Sequence, residues 1–250
     1  MSNAPTPASA GPTIVLVHGS WADASSWTKV IARLQRDGFT VRAIPNGLRS
    51  LSSDAASVRA FLETLTGEVV LVAHSYGGAV VTNAATGLEN VAALVYVNAF
   101  APDEGESAFQ LAGSDSALAV PDPTTVFDLV PSALPPTPES EVFLNESAVF
   151  GPFAAELNRD DKALIYATQR PATFGALTEA SGAPAWKAIP SWYLLGQKDQ
   201  IITPRAQRTM AERAGSTLTE YDAGHLGLLS EPKIVVDVIE EAARARVSVR

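Results

Sequence analysis

Ser75 lies in Val69–Gly78 (VVLVAHSYGG), a run of strand-forming residues that passes through small residues straight into a helical pattern. A serine on such a strand-to-helix turn has a strained backbone and an exposed hydroxyl. Ala73 and Gly77, two residues to either side, are where a larger side chain would collide. The turn also opens a helix, whose first N–H groups favour developing negative charge. The plain alternative is a tight turn with an incidental serine.

Serine is a weak nucleophile, so this chemistry needs a base, and the base needs a carboxylate to orient it. The sequence has three histidines, His18, His74 and His225, and no cysteine. Thiolate nucleophiles, disulfides and Cys-ligated metals are thereby excluded. His225 lies in Asp222–Gly227 (DAGHLG), just past the last expected strand. In a parallel sheet that is the carboxyl edge, where Ser75 also falls. Asp199, in Gly196–Asp199 (GQKD), follows the strand Ser191–Leu195 onto the same edge and is the expected acid. Asp103 is the second candidate; Asp222 is too near His225 in sequence to reach its ring comfortably. A lone loop histidine or turn aspartate is often mere surface, and it is the shared edge that singles these two out.

The remaining need is a pair of donors for an oxyanion. The backbone N–H groups of Ser20, in His18–Trp21 (HGSW), and of Tyr76, next after Ser75, are placed for this. Gly19 permits close approach. His18 and His74 are read as structural, and Trp21 as a candidate wall of the substrate pocket.

The elements that must position these groups follow from periodicity. Ile14–His18, Thr40–Ile44, Val69–Ala73, Val91–Val97, Ser191–Leu195 and Thr217–Tyr221 read as strands. Between them, Trp27, Val30, Ile31 and Leu34 form one helical stripe, with Ser25 or Ser26 available to cap it and Gly38 beyond its end. Ala55, Val58, Phe61, Leu62 and Leu65 form another stripe, and Gly77–Ala85 a small-residue helix. Thr203, Pro204 and Gly215 punctuate a further helix, and Ile234–Arg244 closes the chain amphipathically. Strand, helix, strand in succession predicts an α/β fold with parallel pairing and helices on both faces.

The rhythm breaks over residues 100–189, about 90 residues that include the Pro-rich Pro131–Pro138. That is too long for a loop and predicts an inserted cap, with helices near Ala148–Leu157 and Asp160–Gln169. Its Phe109, Phe127, Phe143, Phe150, Phe153 and Phe174 either line an apolar pocket or pack the cap's own core. The core is then 12–99 and 190–250.

At 250 residues, 46% hydrophobic and 18% charged, the chain can bury a sizeable core without staples. A net charge of −9 argues against nucleic acid as a partner. No apolar run approaches the roughly 20 residues a membrane span requires. Residues 1–11 (MSNAPTPASAG) have neither a basic start nor an apolar stretch, so they are expected to be a flexible lead-in rather than a signal peptide, and the protein cytoplasmic.

His18-Gly19-Ser20, Ala73-His74-Ser75-Tyr76-Gly77-Gly78, Gly196-Gln197-Lys198-Asp199 and Gly224-His225, in that order, resemble the α/β-hydrolase superfamily. The stretches His18–Trp27 (HGSWADASSW) and Ala99–Ser107 (AFAPDEGES) are similar to bacterial members of its esterase and hydroxynitrile lyase branch. Ala73 replaces the usual first glycine of the motif, a sterically mild change. Lyases of the branch carry a Thr after the first-strand His and a Lys after the catalytic His, where this sequence has Gly19 and Leu226. Dehalogenases and epoxide hydrolases of the fold use an Asp nucleophile in place of Ser75. The resemblance therefore implies a cofactor-independent serine esterase, without a metal, acting through an acyl-enzyme on a small, apolar ester. A lyase or perhydrolase using the same residues, or a non-catalytic receptor for a small ligand, are the competing expectations. Oligomeric state is not legible.

Overall fold

Fully apolar strands require cover on both faces, and that requirement organises the molecule. The computed structural model describes residues 11–247, so all of the expected lead-in except Gly11 lies outside the described residues. The central sheet contains β1 (Thr13–Val17), β2 (Val41–Ile44), β3 (Val69–Ser75), β4 (Val91–Ala99), β8 (Ser191–Gly196) and β9 (Thr217–Tyr221). Its order is β2-β1-β3-β4-β8-β9, and every neighbouring pair is parallel. Every residue of β3 and of β8 is buried. Such strands read as unbroken apolar runs because neither face meets water.

Helices supply the cover. α1 (Thr28–Arg36) packs beside the closing helix Pro232–Val247, and α2 (Leu51–Glu63) beside α3 (Tyr76–Ala84). The cap of α1 differs from expectation. Asp23, not Ser25 or Ser26, accepts from the Ser25 N–H, and it starts a 3₁₀ turn, Ala24–Trp27, that leads into the helix. An aspartate two residues upstream reaches that N–H without disturbing the turn, while Ser26 and Thr28 bond back to carbonyls. The later helix is capped as expected, Thr203 accepting from Ala206 with Pro204 at the first position. Gly38 and Gly215 both take positive φ beyond helix ends.

The segment 100–189 departs most from its sequence reading. It contains three short antiparallel strands, β5 (Phe127–Val130), β6 (Glu141–Leu144) and β7 (Ala172–Thr173), in the order β5-β6-β7. Two or four residues are too few for alternation to stand out, although Glu141–Leu144 does alternate in burial. The helix expected over Ala148–Leu157 is a short turn, Glu146–Ala148, followed by a wide turn, Val149–Phe153. Gly151 leaves helical geometry there, and Pro152 lacks the N–H that would continue the ladder. The second helix, Arg159–Thr168, forms with Asn158 as its cap.

Candidate active site

The parallel sheet delivers the chemistry-bearing residues to one edge. Ser20 follows β1, Ser75 ends β3, Asp199 follows β8 and His225 follows β9, all at carboxyl ends. Ser75 has φ 53° and ψ −127°, the strained turn its neighbours imply. The space is as tight as those small residues suggest. A Cβ on Gly77 would lie 2.6 Å from the His18 carbonyl, and one on Gly19 would lie 2.6 Å from Ser75 Cβ.

His225 Nε2 stands 3.0 Å from Ser75 Oγ, and His225 Nδ1 stands 2.9 Å from Asp199 Oδ2. All three residues are buried. Asp199 faces the imidazole with Oδ2, while its Oδ1 accepts from the Ile201 and Ile202 N–H groups at 2.8 and 3.0 Å. Asp103 is elsewhere, paired with Lys187 at 2.6 Å, and Asp222 is exposed and paired with Lys198 at 2.8 Å. The backbone N–H of Ser20 has no partner among the described residues, and that of Tyr76 is one of the unpaired donors of the first turn of α3.

The other two histidines hold the frame. His18 Nδ1 donates to the Gly19 carbonyl at 2.8 Å, and its Nε2 accepts from the Asn46 N–H at 3.1 Å. His74 Nε2 donates to the His225 carbonyl at 2.8 Å, which leaves Nδ1 bare and buried. Burial pulls the His18 pKa down to about 4 and holds His74 well below the ordinary imidazole value. Both are therefore neutral hydrogen-bonding supports near neutral pH.

The sequence pattern that defines the alpha/beta hydrolase family matches residues 14–238. The chain belongs to that family. It is 28% identical over 255 residues to the probable hydrolase R7 of Phoma sp., covering 93% of this chain and 98% of that protein. A carbendazim hydrolyzing esterase from Nocardioides sp. is 32% identical over 110 residues, 39% of this chain and 46% of that one. Among solved structures, polyneuridine aldehyde esterase superposes with a TM-score of 0.78 at 21% identity, covering 92% of this chain and 98% of that chain.

In this hydrolase the supporting polar residues are ones that sequence reasoning missed. Asn98, near the end of β4 with φ 45°, donates from Nδ2 to Asp199 Oδ2 at 3.0 Å and to the Gly224 carbonyl at 3.2 Å. Its Oδ1 accepts from the Tyr221 hydroxyl. Gln207, from the helix Pro204–Arg213, donates to Asp199 Oδ2 at 2.9 Å. Glu156 reaches from the 100–189 segment to accept the Gly224 N–H at 2.6 Å, which ties that segment to the loop carrying His225. A buried polar residue at the end of an apolar strand was the one available signal for Asn98. Glu156 gives none, because Gly224 is far away in sequence, and Gln207, although only eight residues from Asp199, reads as an ordinary polar position of its helix.

Over Ser75 the hydrolase has a cavity of ≈ 340 Å³, walled by Trp21, Phe100, Phe109, Phe127, Leu118 and Leu177 among others. Of the six phenylalanines singled out in the 100–189 segment, Phe109 and Phe127 reach this space, while Phe153 is buried against the rings of Trp21 and His225 at 5.8 and 5.4 Å. Among the described residues, no three His, Asp or Glu side chains converge as a metal site requires, and no helix is long and apolar enough to cross a membrane.

Proposed function

We propose that this α/β-hydrolase cleaves a carboxylic ester with a small, predominantly apolar acyl group, using Ser75 as nucleophile, His225 as base and Asp199 as orienting acid. The observation that supports this reading is the unbroken hydrogen-bonded line from Ser75 Oγ through His225 to Asp199, at 3.0 and 2.9 Å. Ser75 Oγ attacks the ester carbonyl as His225 Nε2 takes its proton. The N–H groups of Ser20 and Tyr76 receive the oxyanion, and loss of one such donor costs on the order of 10² to 10³ in rate. The tetrahedral intermediate collapses, the carbon–oxygen bond to the alcohol breaks, and His225 returns its proton to the leaving oxygen. Water then repeats the sequence, with its proton passing through His225, and the acid leaves Ser75 free. No step draws on a metal or cofactor.

The cavity favours an apolar acyl group, because few of its lining residues offer a polar side chain without a bond of its own. The Ser116 hydroxyl, for example, already donates to the Ile201 carbonyl. The segment 100–189 is read as a cap that sets the length of that group. The esterase named among the relatives is in keeping with this chemistry. Gly19 and Leu226, standing where lyases of the branch carry Thr and Lys, favour hydrolysis over the lyase reading.

A panel of nitrophenyl esters from acetate to octanoate, together with a serine-directed phosphonate, tests the proposal. Hydrolysis of the shorter esters and stoichiometric labelling of Ser75 are expected. A folded protein that leaves every ester intact and resists the phosphonate would be a receptor rather than an esterase.

A further inference from the structure

A second cavity, ≈ 160 Å³, lies beside the first, lined by Phe153, Ile165 and Leu226 and bordered by the charged Asp23, Lys29 and Asp161 among others. It does not include Ser75, and the two linings share a single residue, Trp21. The indole stands between them, 6.1 Å from the ring of Phe127 on the Ser75 side and 5.8 Å from that of Phe153 on the other. Three features hold it there. Its Nε1 donates to the Val142 carbonyl of β6 at 2.8 Å, its backbone takes φ 60°, and the residue is only 5% exposed.

We propose that Trp21 is a specificity-determining partition. It confines substrate to the larger cavity and closes off an apolar extension of the site that the fold already contains. The proposal rests on the ester-hydrolase reading given above. A ring anchored at both its backbone and its nitrogen cannot swing aside to admit a longer chain, so the length limit is set by the core loop after β1 as well as by the cap. Removing the ring would join the two spaces through the volume it occupied. Apolar surface predominates on both sides, with Asp23, Lys29 and Asp161 also bordering the second cavity, so the space beside the removed ring would accept methylenes along Phe153, Ile165 and Leu226.

The test compares kcat/KM for butyrate and decanoate nitrophenyl esters in wild type, Trp21→Ala, Ile165→Trp and the double variant. Ile165 belongs to the second cavity alone. The decanoate-to-butyrate ratio should rise at least tenfold in Trp21→Ala and stay at the wild-type value in Ile165→Trp. In the double variant it should fall back towards wild type, because the added indole fills the space just opened. Trp21→Leu, which keeps apolar bulk in the loop, should give an intermediate rise and provides the same comparison if Trp21→Ala does not fold. An unchanged ratio in Trp21→Leu or Trp21→Ala, with butyrate still hydrolysed, overturns the partition and leaves the esterase reading standing. A rise that Ile165→Trp fails to reverse overturns it too, since the gained length would then lie elsewhere. Wild type inert towards both esters removes the hydrolase reading and the partition together.

Discussion

Asp199 accepts five hydrogen bonds, from His225, Asn98, Gln207 and the backbone of Ile201 and Ile202, more than orienting one imidazole requires. The consequence is a carboxylate with one rotamer, its Oδ2 fixed on the Nδ1 side of the ring. An amide in its place would turn either a donor towards Nδ1 or an NH₂ towards the Ile201 and Ile202 donors. The first choice favours the tautomer with the proton on Nε2, which then cannot receive one from Ser75. Asp199→Asn is therefore expected to lower kcat by on the order of 10³ to 10⁴. Asp103→Asn, which removes only an exposed pair with Lys187, should leave it within about twofold. Steady-state kinetics on one short ester decides the pair, and the reverse ranking would move the acid to the end of β4. Gly19 answers to the same scale. Because a Cβ there would sit 2.6 Å from Ser75 Cβ, Gly19→Ala should displace the serine or the Ser20 N–H and lower kcat at least 10²-fold. Phosphonate labelling should slow in parallel, and an unchanged labelling rate would mean that the two loops are not held against each other.

At the scale of elements, what was legible is what local pattern dictates. The buried strands, the helix stripes, Thr203 with Pro204, and the order of Ser75, Asp199 and His225 along one sheet edge all follow from runs and punctuation in the chain. What stayed hidden depends on partners distant in sequence. Asn98 meets Asp199 and Tyr221, more than 100 residues away, and nothing near Asn98 announces either contact. The strands of the 100–189 segment are too short to carry a period, and Gly151-Pro152 interrupts a stretch that otherwise reads as helix. Asn98 also shows how one side chain couples three elements, joining β4 to the loops after β8 and β9. Replacing it with alanine strips two donated bonds and leaves the buried Tyr221 hydroxyl without its acceptor. Asn98→Ala should thus cost about 1–3 kcal/mol of stability, read by urea unfolding. It should also lower kcat more than it raises KM, because the acid and His225 lose alignment while the cavity is untouched. A loss of stability with unaltered kcat would make Asn98 a structural residue only.

For the molecule as a whole, the frame under the site is built on imidazoles that must stay neutral. Burial lowers the pKa of His18 to about 4, against about 6.5 in an unfolded chain, and lowers that of His74 in the same direction. Below pH 6.5 the unfolded state takes up protons that the folded state refuses, so the equilibrium shifts towards unfolding as the pH falls. The stability that depends on neutral His18 is fully present above pH 6.5 and is lost progressively as the pH falls towards 4, by about 3 kcal/mol in all. Below pH 4 the folded state binds the proton too, and the loss levels off. Asp54 opposes this trend. Burial raises its pKa, so acid relieves a charge that the fold holds at some cost beside the Tyr76 hydroxyl. The two effects separate in a difference measurement. Urea unfolding of wild type and His18→Gln at pH 7.5 and pH 4.5 should show the variant less stable at the higher pH, because the Asn46 N–H and the Gly19 carbonyl lose their shared partner. The variant should nevertheless lose less stability on acidification, since a glutamine has no proton to gain. Equal losses in the two proteins would mean that His18 is protonated in the folded state at pH 4.5, or that the loop it anchors opens before the rest of the molecule does.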